Sequence, residues 1–118
     1  MALHNEIGKR GELLAASYIQ GKGYEIVESN WRYKHKEVDI IAYDGDELVI
    51  VEVKLRSTDY FGEPSEAVTK KKQGFLIEAA EAYLYTIENA PEVRFDIISI
   101  VTSGDGYKYD HITDAFNP

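Results

Sequence analysis

Between residues 4 and 21 apolar side chains recur at helical spacing, with Ile7, Leu14 and Tyr18 among them, and Gly21-Lys22-Gly23 supplies a C-terminal stop. Tyr24 to Tyr33, partly β-branched and aromatic, reads as a first strand. Glu37 to Tyr43 and Glu47 to Leu55 are rich in Val and Ile, and Asp44-Gly45-Asp46 between them predicts a hairpin. From Ser65 the period changes. Ser65 or Thr69 caps a helix running to about Glu88, with Val68, Phe75, Leu76, Ala79, Ala80, Tyr83 and Leu84 as its apolar positions, and Ala90-Pro91 stops it. Val93 to Val101 is a fourth strand, Ser103-Gly104-Asp105-Gly106 a turn and Tyr107 to Thr113 a short closing strand, after which the Asn117-Pro118 tail frays. With no repeat or linker in sight, the reading is one α/β domain over residues 1–118. Its order is α-β-β-β-α-β-β, and a helix between the hairpin and the fourth strand requires a mixed sheet with helices packed on it.

Strand alternation then exposes an anomaly. Val49, Val51, Val53 and Leu55 point one way, while Leu48, Ile50, Glu52, Lys54 and Arg56 point the other. In the preceding strand Glu37, Asp39, Ile41 and Tyr43 share a face opposite Val38, Ile40 and Ala42. A loop over Asp44 to Glu47 pairs Tyr43 with Leu48, hence Asp39 with Glu52 and Glu37 with Lys54. A two-residue loop containing Gly45 keeps the same faces together, and a three-residue loop needs a bulge to do so. Like charges directly opposite each other destabilise a sheet unless a cation sits between them. Carboxylate oxygens suit Mg²⁺ or Mn²⁺, and Lys54 beside them suits a water or phosphate oxygen, a set fitted to metal-assisted phosphodiester hydrolysis. Glu12 falls near Gly8, Ala15, Ala16 and Ile19 on the face of the first helix that packs on the sheet, where an unpaired carboxylate is expensive. It reaches the same cluster from above. Glu52-Val53-Lys54 alone would be commonplace on a solvated strand; its place at the end of Leu48-Val49-Ile50-Val51, with Asp39 on the neighbouring strand, is not.

Composition narrows the classes. The 118 residues hold no cysteine, which removes disulfide scaffolds, thiol catalysis and Cys-ligated zinc. There is no basic and apolar leader and no apolar run of membrane length, so the expected compartment is the cytoplasm. No Walker, dinucleotide, His-Glu-x-x-His or Gly-x-Ser-x-Gly pattern appears, so no nucleotide cofactor is expected. A net charge of −8 argues at first against nucleic acid, but residues 1–72 carry only −2 and residues 73–118 carry −6. Setting aside Glu12, Glu37, Asp39 and Glu52 leaves the first part at +2, compatible with weak, metal-dependent and salt-sensitive binding.

The chain also resembles a known group. Glu12 in an N-terminal helix, Asp39, and Glu52-x-Lys54 resemble the PD-(D/E)XK nuclease superfamily and, more closely, the small bacterial YraN-type family, whose members are similar to Holliday-junction resolvases. The matching stretches are Gly8-Lys9-Arg10-Gly11-Glu12 with Ala15, Tyr18 and Ile19; Gly23-Tyr24-Glu25-Ile26; Asn30-Trp31-Arg32; Glu37 to Ala42; Leu48 to Arg56; and Arg94-Phe95-Asp96-Ile97-Ile98. Lys36 stands where the family usually has Gly and Ile50 where Phe is common. The resemblance implies a restriction-endonuclease-like core with a mixed central sheet flanked by helices, acting on DNA with Mg²⁺ or Mn²⁺. It implies Asp39 and Glu52 as metal ligands with the Val53 carbonyl, Lys54 as the residue that orients or activates the attacking water, and Glu12 as an accessory ligand or water-mediated contact. Glu37 is a weaker candidate. Junction-type nucleases often act as two-fold dimers, so a homodimer is a further expectation.

Lys70, Lys71 and Lys72 open the second helix, where the dipole disfavours them, and with Arg56 they are read as phosphate contacts. Arg32, Lys34 and Lys36 are less specific candidates of the same kind. Tyr60-Phe61-Gly62, in the loop from Ser57 to Pro64, is read as a loop anchored by aromatics that could instead cover the cleft. The nine tyrosines read as core and rim, Gln73 as helix surface, and His4, His35 and His111 as incidental. The alternatives to a nuclease are a catalytically inactive nucleic-acid-binding or protein-adaptor module of the same fold, and a protein-interaction domain using the acidic C-terminal third.

Overall fold

The computed structural model describes residues 2–56 and 68–118, with side chains from residue 9 onward. Its elements are α1 (Ala2–Gly21), β1 (Glu25–Tyr33), β2 (Lys36–Asp44), β3 (Glu47–Arg56), α2 (Lys70–Leu84), β4 (Val93–Ser103) and β5 (Gly106–Ile112). One five-stranded sheet runs in the order β1-β2-β3-β4-β5. Every junction is antiparallel except β3–β4, which is parallel because α2 carries the chain across. The α/β class, the α-β-β-β-α-β-β order and the mixed sheet with flanking helices are as the sequence predicts, and they are consistent with a restriction-endonuclease-like core.

Strand β3 is central and covered on both sides, hence its continuous apolar run. Val49 and Val51 pack with Ala15 and Ile19 of α1, while Leu48 and Ile50 pack with Leu76, Ala79 and Tyr83 of α2. The two helices therefore clamp the sheet from opposite faces. Helix α1 lies tight against β3 at Gly11, where an added Cβ would lie 3.1 Å from the Leu55 Cβ. At its end, amides of Lys22, Gly23 and Tyr24 take the carbonyls of Ile19 and Gln20 at 3.0 Å, with Gly23 at φ 94°. The β2–β3 register is the one set by Tyr43↔Leu48, closed by Asp44↔Glu47 around Gly45 at φ 61°.

Three expectations need correction. Helix α2 is capped by Thr69, whose Oγ1 accepts from the Lys72 amide, but it ends at Leu84 rather than near Glu88. The Thr86 hydroxyl and amide both take the Tyr83 carbonyl, closing the last turn before Ala90-Pro91 is reached. Second, Val38 packs with the α2-side cluster while Ile40 and Ala42 pack with the α1-side cluster, so the alternation along β2 breaks at Asp39. Third, the β2–β3 ladder stops at Ile40↔Val51, so Asp39 is not paired with Glu52 nor Glu37 with Lys54; Asp39 takes the Val53 amide and Glu37 opposes Arg32 of β1. Ser65 and the aromatic loop carrying Tyr60 and Phe61 lie outside the described residues. Among the described residues no helix is long and apolar enough to cross a membrane.

Candidate active site

The break in β2 makes the site. Between the pairs Ser29↔Ile40 and Trp31↔Val38 lie Asn30 and Asp39, and Asn30 holds a left-handed φ of 53° in mid-strand. Asp39 turns toward β3, where its Oδ2 accepts the Val53 amide at 2.8 Å. A carboxylate thus replaces the next rung of the ladder and leaves its second oxygen free of the sheet. Asn30 Nδ2 donates to Glu12 Oε1 at 2.8 Å, fixing the α1 carboxylate over Asp39.

Glu52 follows Val51 on the central strand and is only 3% exposed. Its Oε2 lies 3.5 Å from Lys54 Nζ and 3.8 Å from Lys72 Nζ, the latter reaching across from α2. Among the described residues its Oε1 has no hydrogen-bond partner. A buried carboxylate oxygen without a hydrogen-bond partner is costly, so this atom is a natural seat for a cation or a donor. Gly11, Glu12, Asp39, Glu52, Val53, Lys54 and Lys72 line one open cleft of about 260 Å³.

Electrostatics agree with the geometry. Burial first, then the Glu52 charge, push the Asp39 carboxyl up to about 7, against the Val53 amide and Lys72, which favour its charged form. Burial also raises Glu12, opposed by the Asn30 amide and assisted by Asp39. An acid whose folded pKa lies above its unfolded 3.8 penalises the fold increasingly as pH rises from about 4 to about 7, and fully above that. Metal-free Asp39→Asn is therefore expected to be more stable than the parent at pH 8, by up to a few kcal/mol, and to lose that advantage at pH 4. Thermal unfolding of both proteins across that range checks this.

Of the residues singled out from sequence, Glu12, Asp39, Glu52, Val53 and Lys54 line this cleft. Lys72 joins them at a carboxylate, which supplies the reason its unfavourable helix position demanded. Lys70 and Lys71 are exposed on the first turn of α2, and Arg56 is half-buried at the end of β3. Glu37 is exposed and outside the cleft lining. Gln73 is tied to the Val68 carbonyl at 3.1 Å. Asn30 was missed, because a positive φ inside a strand leaves no periodic signal.

His111 is not incidental. Its Nε2 lies 2.7 Å from the fully buried carboxylate of Asp96, which also takes Arg94 Nε and Nη2 at 2.9 and 3.0 Å. Lys22 Nζ can only donate to Nδ1, at 3.0 Å, so Nε2 carries the hydrogen toward Asp96. This network pins the other end of the sheet.

The arrangement defines an α/β protein of restriction-endonuclease-like order, with three carboxylates and two lysines gathered where β2 and β3 part. The chain belongs to the uncharacterised protein family UPF0102, whose model matches residues 11–100. It is 50% identical over 116 residues to a UPF0102 protein of Christiangramia forsetii, with 98% of each chain covered. A UPF0102 protein of Flavobacterium johnsoniae is 48% identical, again over 98% of each. One from Bacteroides thetaiotaomicron is 46% identical, over 100% of this chain and 98% of the relative.

Proposed function

We propose that this protein is a metal-dependent nuclease of PD-(D/E)XK type that hydrolyses DNA phosphodiester bonds, with branched or structured DNA as the substrate class. The observation that carries the reading is Glu52: a buried carboxylate with an unpartnered oxygen, placed beside Asp39 and faced by two lysines. Two hard oxygen donors suit Mg²⁺ or Mn²⁺, which take one or two protein carboxylates and complete their shell with water and substrate phosphate. Asp39 and Glu52 would hold the ion, with the Val53 carbonyl as a third donor. When bound, it would offset the repulsion between the carboxylates and stabilise charge developing on the phosphate.

The chain's own groups do the rest. Lys54 Nζ, held near Glu52 Oε2, orients a water for attack and stabilises the phosphate oxygens as charge builds. Lys72 supplies a second cation from the opposite side of the cleft. Glu12, held by Asn30, receives or relays a proton beside Asp39. Because Asp39 must be ionised to act as a donor, Mn²⁺ affinity should fall as pH drops below about 7. Calorimetric titrations between pH 6 and 8.5 measure that fall.

The test is incubation of the purified protein with Mg²⁺ or Mn²⁺ and a panel of junction, flap, single-stranded and duplex DNAs. Cleavage that disappears in Glu52→Ala and Lys54→Ala supports the reading. Cleavage that persists in them assigns the activity to a contaminant. DNA binding without turnover, unaffected by Asp39→Asn, defines a non-catalytic module instead.

A further inference from the structure

Lys72 belongs to a second feature besides the cleft. Its Nζ lies 5.4 Å from the centroid of the Phe75 ring, and Lys36 Nζ lies 5.6 Å from the same ring. Tyr33 abuts Phe75 at 5.9 Å, and Trp31 stacks on Tyr33 at 6.2 Å with the planes 8° apart. Lys34 Nζ stands 5.3 Å over the Tyr33 ring, and its charge is paired with Glu78 at 2.8 Å. Lys36 makes no ion pair among the described residues. The rings therefore form a shelf, edged by ammonium groups, that starts at the mouth of the cleft and runs over α2 to the β1–β2 turn. In a chain of net charge −8, three ammonium groups gathered over two adjacent rings are not a generic surface.

We propose that this shelf carries an unpaired stretch of nucleic acid into the cleft, with Lys36 and Lys72 on backbone phosphates and an unpaired base stacked on Phe75. The proposal rests on the nuclease reading for its direction of entry, and its binding chemistry stands apart from it. The Lys36 ammonium, held over the Phe75 ring with no carboxylate partner among the described residues, is exchangeable: a phosphate oxygen takes it, and the ring face is uncovered for a base. Paired bases are stacked inside a duplex and cannot reach the rings, so the shelf discriminates by strandedness rather than by sequence. Phosphate contact alone would need the lysines but not the aromatic row.

Fluorescence anisotropy in EDTA, where no hydrolysis occurs, tests this with three labelled probes: a thymidine strand of about 15 nucleotides, an abasic strand of equal length and a blunt duplex. The intact chain is expected to bind the thymidine strand about tenfold tighter than either of the others. Lys36→Ala weakens both single strands about three- to tenfold and lowers the salt slope by about 0.7. Phe75→Leu weakens the thymidine strand alone and removes its advantage over the abasic one. Should circular dichroism show that Phe75→Leu unfolds, Phe75→Met is read in its place. Equal binding of thymidine and abasic strands by the intact chain overturns the proposal, as do unchanged affinities in the variants. Shelf binding without metal-dependent cleavage upholds the shelf and overturns the nuclease reading; cleavage with unchanged variant affinities does the reverse.

Discussion

Lys54→Ala is expected to lower metal-dependent DNA cleavage about 10³-fold under single-turnover conditions. The lysine sits one strand period beyond Glu52 on the same face, with its ammonium 3.5 Å from Glu52 Oε2 and its side chain about a third exposed. It can therefore be removed without opening the core, so lost rate reports lost chemistry. Lys54→Arg keeps the charge but replaces a compact ammonium with a broad planar group, and should recover only part of the rate. Lys72→Ala offers the internal comparison: it removes the more distant cation, so its loss in rate should be smaller. Cleavage by Lys54→Ala within about threefold of the parent would remove this residue from the chemistry.

Asp96→Ala is expected to cost about 3–5 kcal/mol, a fall of some 10–20 °C in melting temperature, although it lies away from the cleft. Asp96 accepts both Arg94 Nε and Nη2, His111 Nε2 and the Asp114 amide, while Arg94 goes on to Asp44, Glu47 and the Tyr24 hydroxyl. The network joins β4, the β2–β3 turn, the entry to β1, β5 and the C-terminal segment. Burial alone would raise Asp96, but bonds from His111, Arg94 and the Asp114 amide outweigh it and hold the carboxyl below its usual 3.8. Its stabilisation is accordingly full above that value and is lost as pH falls through the lowered one. The Lys34–Glu78 pair is the contrast: both side chains are more than half exposed and screened by solvent, and Lys34→Ala should leave stability nearly unchanged. Chemical denaturation of the two variants separates a buried hub from a surface pair.

Much of this molecule was legible because its elements obey their periods. Alternation along β3 separated Val49 and Val51 from Leu48, Ile50 and Glu52, and the short Gly45 turn fixed the register from Tyr43↔Leu48 to Ile40↔Val51, beyond which Asp39 and Glu52 both line the cleft. The carboxylate anomaly was visible for the same reason, since a charge ending an apolar central strand is out of place in a periodic pattern. What sequence hid were departures from period. Asn30 at φ 53° and the face switch between Val38 and Ile40 have no one-dimensional signature, yet they turn Asp39 toward Val53. The early end of α2 depends on the Thr86 hydroxyl competing for the Tyr83 carbonyl, a choice that helix periodicity does not encode. Long-range polar partners were equally silent: His111 meets Asp96 only because β5 lies beside β4.

The account turns on whether Asp39 and Glu52 together hold a divalent cation. Calorimetric titration of Mn²⁺ into the protein and into Glu52→Gln at pH 8, above the raised Asp39 value of about 7, measures this without any DNA. Binding in the parent that weakens at least tenfold in Glu52→Gln, about 1.4 kcal/mol or more, is the result predicted. Equal affinity in the two proteins, or no heat of binding in the parent, would contradict it.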